Sequence, residues 1–393
     1  MGIELTGTNA SKIATALLAE RSKAGSPAMG MVLTFVVVAD EGDHYDAMKA
    51  ARAVSREHPS RVLGVIRRSA RGAANLDAEI KIGEGGSGEQ VLLRMSGELA
   101  KHPESVVLPL LLPDSPVVCW WPSKPPEDPK NDPLGMLAQR RITDTAAIER
   151  GRASAMVTQA RNYADGNTDL SWTRLTPWRA LLAAALDQYP AKVKGGSVSA
   201  ETVNPSADLL VAWLTDRLKV PIDRVRSKGP GITEVNLVTG GGNITISRPD
   251  GLLAQFSIPN APNRPVALKR RELAELLAEE LRRLDPDDVY QQTVARLCKI
   301  ADKTGIRRTK AGKAGAKSSD PALMVTGTDH TLAAGKDIQR SRRASAARKE
   351  AASTRKGAAR KEAASTRKGA ARKTAARKRA AKTSAGRRAA KKS

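Results

Sequence analysis

The chain has 393 residues, of which 40% are hydrophobic and 3% aromatic, and a formal net charge of +25 at pH 7. That length accommodates two domains plus further segments, and the charge is unevenly held: residues 301–393 carry 28 Lys/Arg against 6 Asp/Glu, leaving 38 against 35 in residues 1–300. The folded part is therefore nearly neutral, and the two distant cysteines, Cys119 and Cys298, exclude a disulfide framework and a CxxC redox pair, as suits a reducing cytoplasm. No signal peptide is expected, and the longest apolar runs, 31–39 and 105–121, are too short or too rich in proline to span a membrane. A loose myristoylation match at the first six residues is set aside.

Residues 9–24 read as a short amphipathic helix with Ile13, Leu17 and Leu18 on one side, a peripheral arm. Residues 31–39 are a continuous β-branched run of strand length; a helical segment over 44–57 follows, with Met48, Ala51 and Val54 on one side, then a second strand over 61–68. That order implies a parallel pair joined by a right-handed crossover. Residues 76–82 alternate Ala78, Ile80 and Ile82 with Asp77, Glu79 and Lys81, the period of a half-exposed edge strand. Ser87 and Gln90 make a capping-box pattern that predicts a helix over 88–101. The apolar segments 106–112 and 117–121, broken by Pro109, Pro113 and Pro116, predict a strand, a turn and a second strand ending in Trp120-Trp121-Pro122. A proline-rich loop (122–133), a short helix (134–140), a last strand (142–145) and a helix (146–163) complete an open α/β layer domain with a mixed sheet over residues 1–165.

Thr176 reads as the N-cap of a helix that starts at Pro177, presents Trp178, Leu181, Leu182, Ala185 and Leu186 on one face, and ends near Tyr189-Pro190. Asn204 before Pro205 caps another, faced by Leu209, Leu210, Trp213, Leu214 and Leu218. Val235/Leu237, Ile244/Ile246 and Ala254/Phe256/Ile258 then point inward from three alternating strands, joined by turns at Gly240-Gly-Gly242 and Pro249-Asp-Gly251. Helices over 270–284 and 287–301 close this antiparallel meander, so residues 166–302 read as a smaller α+β domain. Beyond residue 303 apolar periodicity stops, and residues 346–357 recur unchanged at 358–369. Alanine and cations without large apolar side chains cannot offset chain entropy, so 303–393 is expected to be a disordered basic tail.

Catalytic chemistry is hard to find. Four histidines (His44, His58, His102, His330) stand apart without HxxxH or cysteine companions, so no metal site is expected. No GxSxG serine or Walker lysine is present, and the glycine-rich loop Gly83-Glu-Gly-Gly-Ser-Gly88 carries acids at Glu84 and Glu89 that would repel a phosphate. It reads as a connection rather than a nucleotide site, and no cofactor is expected. Asp40, Glu41, Asp43 and His44 occupy the strand end where α/β folds hold ligands, but carboxylates are common there as turn and cap residues, and that is the role read for them.

The most distinctive stretch is Asp169-Leu-Ser-Trp-Thr-Arg-Leu-Thr-Pro-Trp-Arg179: four of the five tryptophans, Trp120, Trp121, Trp172 and Trp178, fall between residues 120 and 178. Arg174 and Arg179 flank a helix start, where they oppose the positive end of its dipole and would gain from a carboxylate. These six are the candidate site residues. Two readings are open: a plug at the seam between two domains, or a partner-binding surface, since Trp and Arg are enriched among interface hot spots.

That motif, with Val107-Leu-Pro-Leu-Leu-Leu-Pro-Asp-Ser-Pro-Val-Val-Cys-Trp-Trp-Pro122, Asp132-Pro-Leu-Gly135 and Arg141-Ile-Thr-Asp144, resembles the OpcA family, the glucose-6-phosphate dehydrogenase assembly proteins of actinobacteria and cyanobacteria. The likeness covers roughly residues 1–302. It implies a non-catalytic protein, of the actinobacterial type, that binds glucose-6-phosphate dehydrogenase and promotes its active oligomer at the entry to the oxidative pentose phosphate pathway. The thioredoxin-linked cysteines of cyanobacterial relatives have no counterpart after Cys298, and the repeated tail lies outside the family core. An alternative class is a nucleic-acid-binding protein acting through that histone-like tail, with 20 Lys/Arg and 2 Asp/Glu from 341 to 393 and no interleaved aromatics to stack on bases.

Overall fold

The computed structural model describes residues 2–23, 30–82 and 88–304. Readings of the glycine-rich loop at 83–87 and of the tail from residue 305 lie outside these described residues. The N-terminal half supplies β1 (Gly2–Leu5), α1 (Ala10–Lys23), β2 (Leu33–Ala39), α2 (His44–Val54), β3 (Ser60–Arg67), β4 (Asn75–Ile82) and β5 (Glu89–Ser96). After these come α3 (Glu104–Val107), β6 (Val117–Trp121), β7 (Arg140–Thr143), α4 (Arg152–Arg161) and β8 (Asn167–Asp169). They form an eight-stranded mixed sheet in the order β1-β4-β5-β3-β2-β6-β7-β8. From β5 to β8 every pairing is parallel, and β1-β4 and β4-β5 are antiparallel. The continuous apolar run explains the centre: all seven residues of β2 are buried, as a strand covered on both faces must be.

Several local expectations are corrected. The β4 strand is not an edge, because β1 pairs outside it from Gly2↔Lys81 to Leu5↔Ala78. The helix predicted over 88–101 is instead β5 followed by a 3-10 turn at Gly97–Lys101. Its helix-forming residues yield to pairing on both sides, with β3 in parallel and β4 antiparallel. Glu89 enters the sheet without an orphan charge, since Arg21 and Arg61 donate to it at 2.6 and 2.8 Å. The strand predicted over 106–112 is α3 and a 3-10 turn, Leu108–Leu110, and the short helix over 134–140 shrinks to a 3-10 turn at Gly135–Leu137 before β7. The helix predicted from 146 begins only at Arg152, behind Gly151 with φ 76°.

The C-terminal half opens with α5 (Leu170–Thr173), α6 (Thr176–Gln188), β9 (Val193–Ala200), α7 (Pro205–Leu218) and β10 (Ile222–Arg226). It continues through β11 (Ile232–Thr239), β12 (Gly242–Ser247), β13 (Leu253–Ser257), β14 (Arg264–Ala267), α8 (Leu273–Leu281) and α9 (Asp288–Thr304). Its sheet runs β10-β9-β11-β12-β13-β14, antiparallel except for the β9-β10 pair. The meander sits where the alternation puts it, with Val235, Leu237, Ile244, Ile246 and Ala254 fully buried. The flanking strands β9, β10 and β14 were not read from the sequence. Asn204 does cap α7, accepting from Ala207 N at 2.9 Å, but Thr176 does not cap α6: Leu175 holds that position, and the Thr176 hydroxyl donates to Glu279 at 2.7 Å.

Among the described residues, three buried clusters fill the interior. One lies on the face of the first sheet under α1, with Leu63, Val91, Leu93 and Trp121. The opposite face holds Phe35, Val37, Trp120 and Ile142 beneath α2 and α8, although α8 comes more than a hundred residues later in the chain. The third fills the second sheet and its helices and includes Trp172, Trp178, Leu210 and Leu297.

Candidate functional site

Successive side chains of a strand point to opposite faces, so the adjacent Trp120 and Trp121 of β6 enter different cores. Trp120 lies parallel to Phe35, centroids 6.0 Å apart and planes 14° off. Trp121 roofs the turn made by Asp132, whose carboxylate accepts from the Leu134 and Gly135 N–H groups at 3.0 and 3.3 Å. Only glycine fits beneath it, since a Cβ on Gly135 would stand 1.8 Å from the Pro129 carbonyl oxygen. Trp172 and Trp178 belong to the third core, each 2% exposed. The structure therefore distributes the four indoles over three cores, and none of them faces solvent.

The stretch from Asp169 to Arg179 is a junction built on acids. Asp169 ends β8, wholly buried, and accepts from the Thr143 hydroxyl (2.6 Å), Thr145 N and Oγ1 (both 3.0 Å) and Ser171 N (2.8 Å). Burial, with Asp144 nearby, raises its pKa above the ordinary aspartate value despite those donors. Arg174 finds the carboxylate its position called for: two parallel bonds of 2.8 Å to Asp144 at the end of β7. Burial alone would lower the Arg174 pKa, and the facing Asp144 outweighs it. Arg179 finds a different partner, its guanidinium 3.7 Å above the Trp172 ring. Trp172 Nε1 donates to Asp287 at 2.8 Å, and the other Asp287 oxygen caps α9 through Tyr290 N at 2.9 Å.

Helix α8 locks the junction. Glu280, 6% exposed, accepts from Arg140 of β7 and from the Thr173 hydroxyl, both at 2.5 Å. Glu279 accepts from Thr176 and pairs with Arg271, which also donates to the Thr173 carbonyl. Sequence reasoning found the tryptophans and arginines but missed Asp287, Glu279, Glu280 and Arg140. Their only local signals were a helix-capping acid after Pro286 and an acidic pair that looks like solvated helix surface. Six named residues thus split into two groups: Trp172, Arg174, Trp178 and Arg179 meet at the junction, and Trp120 and Trp121 lie in the body of the first sheet.

The other candidates resolve into structural roles. Glu41 pairs with Arg68 and Arg94 at 2.9 and 3.2 Å, which hold its carboxyl down at about 2. Asp40 pairs with Lys124, and Asp43 accepts from Ser123 at 2.5 Å while giving α2 no side-chain cap. His58 Nε2 meets the Ala278 carbonyl of α8 at 3.1 Å. Burial pushes the Cys119 thiol well up. Among the described residues no three His, Cys, Asp or Glu side chains converge as a metal site, and no helix is long and apolar enough to cross a membrane.

Two domain families of the glucose-6-phosphate dehydrogenase subunit match in order: its N-terminal domain over residues 51–161 and its C-terminal domain over residues 165–294. A curated relative from Synechocystis sp., an OxPP cycle protein named OpcA, is 24% identical over 164 residues, which is 38% of this chain and 33% of that protein. The match thus spans a third of the relative's length. Among solved structures, an oxidoreductase from Sinorhizobium meliloti has a TM-score of 0.35 at 8% identity, over 70% of this chain and 89% of that one. The regulator Gal80p of Kluyveromyces lactis has a TM-score of 0.33 at 7% identity, over 73% and 86%. Likenesses that loose say nothing about activity.

Proposed function

Because the chain belongs to the OpcA family of glucose-6-phosphate dehydrogenase assembly proteins, matching its two domains in order, we propose that it is a non-catalytic assembly factor and allosteric activator of that dehydrogenase. The paired match over residues 51–294 is the observation that carries this reading. In it the protein acts in the cytoplasm at the entry to the oxidative pentose phosphate pathway.

Activation requires differential affinity. The protein must bind the active dehydrogenase oligomer more tightly than the inactive form, because equal binding shifts no equilibrium. With all four indoles buried, we read Trp120, Trp121, Trp172, Arg174, Trp178 and Arg179 as the framework behind the contact surface. Dehydrogenase activity and oligomer size, measured with and without the protein, test the reading. A larger or more active assembly is expected, and no change in either defeats it.

The charge of the tail favours a second activity, nonspecific binding of nucleic acid or another polyanion. Its affinity is expected to fall steeply with salt, with a logarithmic slope of about −0.9 per phosphate neutralised.

A further inference from the structure

A cavity of about 270 Å³ opens beside the junction, between the starts of α6 and α7 and the segment that leads into α8. Six cationic side chains line it: Arg152, Arg174, Arg248, Lys269, Arg270 and Arg271. The one carboxylate among the described lining residues is Glu201. Four of the cations find an acid: Arg174 on Asp144, Arg271 on Glu279, and Arg270 and Lys269 on Glu201 and Glu275, each at 3.7 Å. Two meet only neutral oxygens among the described residues. Arg152 donates to the Ile148 carbonyl at 2.6 Å, and Arg248 to the Leu268 and Ile232 carbonyls at 2.6 and 3.2 Å.

Arg248 is the telling member. It is 5% exposed, its guanidinium packs over Trp178 at 4.9 Å, and its Nε is buried with no partner among the described residues. Burial, helped by the neighbouring Arg270 charge, depresses its pKa to about 10. A buried cation balanced by carbonyls alone carries a desolvation cost that a bound anion would offset. Two further sources of positive potential face the same space. Pro177 and Trp178 belong to the first turn of α6, while Asn204, Pro205 and Ser206 begin α7, so both helices turn their positive dipole ends towards the cavity. The lining also includes apolar Leu175, Val203 and Leu268.

We propose that this cavity binds a small organic phosphate, its phosphate held by Arg152 and Arg248 beside the two helix starts and its carbon skeleton laid on the apolar lining. The volume lies just below the usual range of small-ligand pockets, about 300–1,000 Å³, which suits a metabolite rather than a polymer. The assignment stands apart from the assembly reading, since it concerns a ligand of this chain whatever its protein partner.

Calorimetric titration of the full chain with glycerol 2-phosphate and with inorganic phosphate, at constant ionic strength, tests it. The same titrations are made on R152Q/R270Q, whose replaced side chains are not fully buried and whose basic tail is unchanged, and on R248Q. Both probes are expected to bind the parent, glycerol 2-phosphate more tightly, and R152Q/R270Q and folded R248Q each to weaken both about tenfold or more, through loss of the charge-assisted hydrogen bonds of Arg152 or Arg248. Should R248Q fail to fold by thermal melting, the surface pair decides alone. Absence of binding, equal affinity in parent and R152Q/R270Q, or no preference for the organic phosphate would each overturn the proposal.

Discussion

Replacing Glu280 by alanine is expected to lower the stability of the folded body by about 3–5 kcal/mol, the usual cost of removing one partner from a buried ion pair. The side chains of Arg140 and Glu280 are 5% and 7% exposed and their charged atoms lie 2.5 Å apart. Without Glu280, Arg140 would retain, among the described residues, only the Asp285 carbonyl at 2.9 Å, and its Nε has no partner among them. The Thr173 hydroxyl would lose its acceptor as well. Urea unfolding followed by tryptophan fluorescence measures the effect. With a slope of about 3 kcal/mol per molar urea, the midpoint should fall by about 1 M or more. Glu280→Leu combined with Arg140→Met should recover most of the loss, because no charge is then left buried. If Glu280→Ala stays within about 1 kcal/mol of the parent, the claim that this pair fastens α8 to the first sheet is wrong.

Trp178→Ala is expected to cost about 3–5 kcal/mol by opening a cavity in the third core, seen as a lower melting temperature. Dehydrogenase stimulation per folded molecule should stay unchanged; a selective loss of binding at unchanged stability would instead make Trp178 a contact residue. Burial, partly offset by Arg224, lifts Asp208 from 3.8 to about 6. A folded pKa above the unfolded one gives stability that is full below about pH 4 and lost as pH rises through about 6, on the order of 2–3 kcal/mol. Asp208→Asn should lack that component, so denaturant midpoints of the two proteins, compared from pH 4 to 7, should converge or cross as the parent weakens; parallel profiles would refute it. Deletion of residues 303–393 should abolish binding to DNA in a gel-shift assay and leave stimulation of the dehydrogenase intact.

Much of the sheet architecture is readable because burial writes itself into composition. The β-branched runs of β2 and β3 and the alternation of β11 to β13 announce strands that only those environments accept. The misread segments are those where a local signal competes with a distant partner. In β5, Ser87 and Gln90 imitate a helix start, but what decides is the pairing of Glu89 to Ser96 with two neighbours and the arrival of Arg21 and Arg61 at Glu89. β9 goes unassigned rather than misread: its Gly195-Gly196 pair carries no strand signal, yet a Cβ on Gly196 would stand 2.5 Å from the Asn236 carbonyl oxygen of β11, so the glycine is what lets the strands approach. The junction was half legible for the same reason. Trp172, Arg174, Trp178 and Arg179 stand out by residue type, whereas Glu279, Glu280 and Asp287 take their roles only through partners about a hundred residues away.

The placement of α8 also sets a timetable for biogenesis. A nascent chain emerges N-terminus first, so the strands carrying Phe35 and Trp120 leave the ribosome long before Leu276, Leu277 and Leu281 arrive to roof them. During that interval the early half presents a greasy flank that α2 covers only in part, and a truncated or stalled polypeptide ending before residue 273 becomes a natural client for chaperones.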